Sequence, residues 1–248
     1  MKNKTIYVNG CSFAYGIGID FYESRAKELR FSKTLCDSLG VVEDNRAIPG
    51  SCNARISRRT VVDLIKSKPE LAIVIWSDPA RFEFIEPTSK GSYKYPADTE
   101  QVRPLSIYNY PRHQRHAFLS YYENISSTNR DVLYTLQNML SVKVAADMLD
   151  IPCIQIPFKG TFYRELMRAK SSKNPDYINS LNEHIEILSS DQLVFGLNED
   201  ISFDSICGAD VDKGMLSKLP NQQGHPNKES HDILSDWMLK LISDRNLI

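Results

Sequence analysis

A serine just after a short β-favouring run and a histidine just before the last amphipathic helix are the two side chains here best suited to act as nucleophile and base. Residues 5–9 favour a strand, Gly10 stops it, and Cys11, Ser12 and Phe13 follow, with Gly16 and Gly18 keeping the next loop small. A serine so placed stands at the carboxyl end of a strand, where open α/β sheets put their ligand crevice. Its hydroxyl attacks well only when a general base within reach takes its proton; its other reading is as a cap for a turn or helix. At the far end of the chain, Gly224-His225-Pro226-Asn227 holds an imidazole on a constrained loop. Such a ring fits a base, though a loop histidine can equally be a solvated one. His231 sits beside the start of the last helix and reads as structural, whereas His113, His116 and His184 have no motif around them.

The elements that must position this pair follow from hydrophobic periodicity. After the first strand, residues 22–39 carry helical spacing through Ala26, Leu29, Phe31, Leu35 and Leu39. Residues 41–48 read as a second strand, Pro49-Gly50-Ser51 as a turn, and 53–66 as a helix. The continuous apolar run 71–76 suits a strand buried on both faces of a parallel sheet. Three β-loop-α units in succession predict a parallel sheet covered by helices. Further on, 131–149 reads as a helix, 151–156 as a strand, 162–170 and 175–188 as helices, 192–195 as a short strand, 198–223 as loop and 231–242 as a closing helix. Between them, residues 86–130 are rich in Tyr, Pro, Ser and charge without periodicity, the pattern of a lid-like insertion. Its small basic cluster, Arg112, His113, Arg115 and His116, reads as a solvated face. Without repeats or linkers, residues 1–248 read as one domain.

Composition narrows the function classes. The 30 Lys and Arg balance 31 Asp and Glu, leaving a net charge of −1 and no overall field to attract nucleic acid or an anionic membrane. No window approaches the roughly 20 apolar residues of a membrane span, and the first residues carry no signal-peptide pattern. The five cysteines are odd in number and widely spaced, which predicts reduced thiols, a cytoplasmic setting and no zinc site. Neither a dinucleotide-binding nor a P-loop glycine pattern is present, so a flavodoxin-like nucleotide binder is disfavoured and no cofactor or metal is expected.

Taken together, these blocks resemble the SGNH hydrolases, also called GDSL esterases and lipases. Gly10-Cys11-Ser12-Phe13 is similar to the family's Gly-Asp-Ser block, with Cys11 in place of Asp. Asn45-Arg46-Ala47-Ile48-Pro49-Gly50 is similar to its Asn-x-x-x-x-Gly turn. Gln222-Gln223-Gly224-His225-Pro226 is similar to its Asp-x-x-His-Pro block, with Gln222 where the orienting acid would be. The resemblance spans nearly the whole chain and implies a three-layer, flavodoxin-like α/β fold with Ser12 as nucleophile and His225 as base. It also implies an oxyanion hole made of the Ser12 and Gly50 amides and an asparagine side chain. Here the family's Gly-x-Asn-Asp block is replaced by Trp76-Ser77-Asp78-Pro79, so Asp78 stands where that asparagine belongs. An ionised carboxylate would repel an oxyanion: either Asp78 points elsewhere, or it is protonated, or another donor substitutes. Asn53 is the candidate substitute, or else a first-turn residue of its helix. Without an acid at 222 the site runs as a Ser12–His225 dyad or borrows Asp210 or Asp212. Arg81 falls near the same crevice, as a binder of an anionic substrate group or as a partner of Glu83 or Asp78.

The function implied is a serine esterase or acylhydrolase acting on a small-molecule or carbohydrate ester, a carbohydrate O-deacetylase or acyltransferase among the options. The competing expectation is a binding or assembly protein on the same fold whose catalytic equipment has decayed, as the replacements at 78 and 222 would suggest.

Overall fold

The computed structural model describes residues 4–20, 22–85, 102–105, 126–207 and 224–248. Most of the lid-like insertion, Asp210, Asp212 and Gln222 lie outside these residues, as does the basic cluster at 112–116.

Four parallel strands make the centre: β1 (Thr5–Gly10), β2 (Val42–Asn45), β3 (Leu71–Trp76) and β6 (Cys153–Pro157), in the order β2-β1-β3-β6. The expected strand at 192–195 is reduced to a single parallel bridge between Gln155 and Val194 on the outer edge of β6. Two flanking bonds, Gln155 N–H to the Leu193 carbonyl and Phe195 N–H to the Gln155 carbonyl, extend it by little. A separate antiparallel pair, β4 (Phe82–Ile85) with β5 (Val102–Leu105), opens and closes part of the insertion.

The pleat of β3 explains why its six residues are all apolar. Ala72, Val74 and Trp76 face one core with α4 (Asn53–Ser67), α5 (Thr128–Asp147), α6 (Thr161–Lys170) and α7 (Pro175–Ser189). Leu71, Ile73 and Ile75 face the other core, with α3 (Phe31–Leu39), α8 (Phe203–Cys207) and α9 (Lys228–Arg245). Each face needs its own helical layer, and the result is the three-layer α/β arrangement with a central parallel sheet. Polar groups inside the first core are paired: Trp76 Nε1 donates to Gln155 Oε1, and Asn9 Nδ2 donates to Thr60 Oγ1 and the Ile56 carbonyl.

Residues 22–39 form two helices rather than one: α2 (Glu23–Leu29) ends and α3 begins at Arg30, whose backbone is extended at φ −70°, ψ 155°. Tertiary partners win over periodicity here. The Arg30 guanidinium pairs with Glu43 at 2.7 Å with both side chains about nine-tenths buried, and the Phe31 N–H donates to Nδ1 of buried His231 instead of continuing a helix. The second strand, Val42–Asn45, is shorter than the expected 41–48, although the Arg46 and Ile48 N–H groups still donate to the Val8 and Gly10 carbonyls of β1. The stretch 198–223, expected as loop, contains α8. None of the five cysteines forms a disulfide, and all are buried. Among the described residues no helix is long and apolar enough to cross a membrane.

Candidate active site

Ser12 opens a one-turn helix, α1 (Ser12–Tyr15), immediately beyond the end of β1. Its own N–H, the first of that turn, has no carbonyl within α1 to meet. Gly10, at the strand end, lets the chain press against β3: a Cβ there would lie 2.7 Å from the Ile75 carbonyl oxygen and 2.8 Å from the Ala14 Cβ.

His225 arrives from the other end of the sequence, and its Nε2 lies 3.0 Å from the Ser12 Oγ. With the proton of the neutral ring on Nδ1, Nε2 accepts from the hydroxyl, the arrangement a base needs before it takes a proton. Two contacts set the ring. Phe13 meets it edge-on with centroids 5.4 Å apart, and Gly18 lets the 224–226 loop pass close by. A Cβ on Gly18 would sit 2.6 Å from the Pro226 carbonyl oxygen and 2.7 Å from the His225 Cβ, and φ of +105° there disfavours any side chain.

Asn45, first residue of the Asn-x-x-x-x-Gly turn, ties that turn to the nucleophile's helix. Its Nδ2 donates to the Ala14 carbonyl and to Ser32 Oγ, and its Oδ1 accepts from Ala47 N–H. Gly50 therefore lies beyond the same ends of β1 and β2 as Ser12. No acceptor among the described residues takes the N–H of either Ser12 or Gly50.

The structure places the Asn53 side chain in the core. Its amide group donates to the Ser77 carbonyl at 3.1 Å and to Thr135 Oγ1 at 3.0 Å, and accepts from the Ser77 N–H at 2.7 Å, so both amide hydrogens are already spent in the core. Nor does it cap α4, whose N-cap is Cys52. Asp78 is turned back on its own loop, with Oδ1 accepting from the Ala80 N–H. Its charge is felt on the α5–α6 side. Burial first, then the charges of Asp78 and Asp131, push the Glu165 carboxyl up to about 7, and burial also raises Asp131. Among the described residues no side-chain bond joins Arg81 to Asp78, and the side chain of Glu83, its other expected partner, lies outside them. One guanidinium nitrogen donates to Ser77 Oγ at 3.0 Å, and the group lies 5.8 Å from the centroid of Phe158, whose ring meets Phe13 edge-on.

Sequence reading passed over Ser51 and Arg55. Arg55 is buried, yet it occupies the first turn of a 15-residue helix that has no acidic residue there, and its Nη1 donates to Ser51 Oγ at 3.1 Å. An arginine in the first turn of a helix that has no acid there was the available signal, since the helix dipole disfavours a cation at that end. No group of three or more His, Cys, Asp or Glu side chains among the described residues is arranged to hold a metal ion.

No protein-family model and no curated protein matches the chain. Solved structures do. A protein assigned to the G-D-S-L lipolytic family from Desulfitobacterium hafniense DCB-2 is 14% identical, with 96% of this chain and 99% of that one covered and a TM-score of 0.50. TesA is 12% identical over 99% and 100% of the two chains, also at 0.50. The psychrotrophic esterase EstA from Pseudoalteromonas sp., in a structure inhibited by monoethylphosphonate, is 14% identical over 98% and 99%, again at 0.50. At such identities the likeness carries architecture: this chain has the fold of the SGNH hydrolases.

Proposed function

We propose that the protein is a serine esterase or acylhydrolase in which Ser12 attacks an ester carbonyl and His225 relays the proton. The observation that carries the reading is the 3.0 Å separation of Ser12 Oγ and His225 Nε2 across the whole length of the chain. In the forward half-reaction His225 takes the Ser12 proton, the oxygen bonds to the acyl carbon, and the imidazolium returns the proton to the departing alkoxide. Water then attacks the acyl-enzyme with His225 again as base, and a sugar hydroxyl in place of water would make the same site an acyltransferase. The N–H groups of Ser12 and Gly50 are the proposed donors to the developing oxyanion. Asn53, with its amide hydrogens committed, and Asp78, a carboxylate tied to its own turn, are left out of that role. Arg81 is the proposed contact for a polar or anionic part of the substrate. Carbohydrate esters belong to this proposal by fold analogy.

The test is hydrolysis of p-nitrophenyl acetate, a longer-chain ester and an acetylated sugar by wild type, Ser12→Ala and His225→Ala, with phosphonate labelling of Ser12 alongside. A rate above background that falls by about 10³-fold or more in both variants is expected for a nucleophile and its base. Equal rates in all three proteins and an unlabelled Ser12 would replace this reading with that of a binding protein on the same fold, for which the acid at position 78 is the favouring observation.

A further inference from the structure

Arg55 is a buried guanidinium, with only 6% of its surface exposed. It stands, against local preference, in the first turn of α4, where the helix dipole favours acids, and that turn contains none. Local preferences broken in this way tend to mark functional sites. What Arg55 reaches is the turn that carries Gly50. Arg55 Nη1 donates to Ser51 Oγ at 3.1 Å, and the fully buried Ser51 in turn donates its hydroxyl to the Ile48 carbonyl at 2.8 Å. The Ser51 N–H also donates to the Ile48 carbonyl, at 3.2 Å, while the Ile48 N–H donates to the carbonyl of Gly10, two residues before Ser12. Gly50 lies inside this closed loop of bonds, with φ of +82° fixing the direction of its peptide.

Resting on the esterase reading above, we infer that Arg55 is a positioning residue for the oxyanion hole: through Ser51 it locks the Gly50 N–H in place. On this reading, with one side-chain donor missing because an acid stands where an oxyanion asparagine is expected, more of the stabilisation comes from backbone donors held rigidly. Pre-set donors cost no reorganisation when charge develops, which is what makes them effective.

The experiment is steady-state hydrolysis of the best ester substrate by wild type, Ser51→Ala, Arg55→Lys, Arg55→Met and the Ser51→Ala/Arg55→Met double variant, with a thermal midpoint for each. Ser51→Ala and Arg55→Met are each expected to lower kcat by about tenfold or more while KM moves by less than about threefold, the pattern of an interaction made in the transition state. The double variant should be no slower than the slower single one, because both break the same link. Arg55→Lys, which keeps the charge, should recover part of the loss. Should Arg55→Met fail to fold, Ser51→Ala and Arg55→Lys decide the matter by the same split. Losses that simply multiply in the double variant, or a kcat for Ser51→Ala within about twofold of wild type, overturn the inference while leaving a Ser12-dependent esterase intact. A wild-type rate that survives Ser12→Ala overturns the esterase reading itself and the inference with it.

Discussion

The Asn53 carboxamide makes three buried hydrogen bonds, two of them with the main chain of Ser77, and so fixes the exit of β3 against α4 and α5. Asn53→Ala would leave the buried Ser77 N–H and carbonyl and the Thr135 hydroxyl short of a partner. The expected cost is about 2–3 kcal/mol, or roughly 5–10 °C in the unfolding midpoint of a chain this size. The kcat of the protein that remains folded should change little. A midpoint like that of wild type with kcat reduced by about 10²-fold would instead return Asn53 to the oxyanion hole. The sequence allowed both readings of Asn53 because its partners lie 24 and 82 residues away, and no local pattern encodes them. Ser12 and His225 were legible for the opposite reason. Each is framed by its own glycines or proline at an element boundary, so its placement at the mouth of the sheet follows from local punctuation alone, although the two are 213 residues apart.

Elements with strong periodicity, α4 and β3, begin and end within a residue of where their apolar spacing puts them. The break between α2 and α3 was not legible, since the apolar spacing runs through it. What imposes it is Glu43, thirteen residues further on, and His231, two hundred residues on. The loop that carries His225 depends on another element in the same way. It can lie against the α1–α2 connection only because Gly18 has no side chain, its hypothetical Cβ falling within 2.7 Å of two atoms of residues 225 and 226. Gly18→Ala is therefore expected to push the 224–226 loop outward and lengthen the Ser12–His225 contact. A displacement of about 1 Å costs on the order of 10²-fold in rate, with helix content by circular dichroism unchanged. The same substitution with wild-type kcat would mean that the loop absorbs the side chain and that the close packing has no part in setting the base.

At the scale of the whole molecule, pH dependence joins the two cores. His231, on α9 and buried against α3, accepts the Phe31 N–H on Nδ1, which requires a neutral ring. Burial first, then the charges of Lys228 and Arg30, push its pKa down from 6.5 to about 3. Between those values the unfolded chain binds a proton that the folded chain refuses. Its contribution is complete above the ordinary histidine value and is lost as pH falls toward 3, by up to about 1.4 kcal/mol per pH unit. Glu165 and Asp204 act with the opposite sign. Burial is the main cause that raises them, to about 7 and about 6, so the folded chain keeps protons that the unfolded chain releases, and their contribution fades as pH rises through the same window. The slope of the wild-type protein is thus a difference of opposed terms, and the informative quantity is the change that a single histidine variant makes to it. His231→Asn keeps an acceptor for the Phe31 N–H and cannot titrate. It is less stable than wild type near neutrality because the ring also packs on Phe31 and Phe203. Urea unfolding at pH values from about 7 down to about 5 should find that gap narrowing by up to about 1 kcal/mol per unit of acidification. A gap that stays constant over the range would mean that His231 binds its proton equally in both states and has no part in the acid sensitivity of the fold.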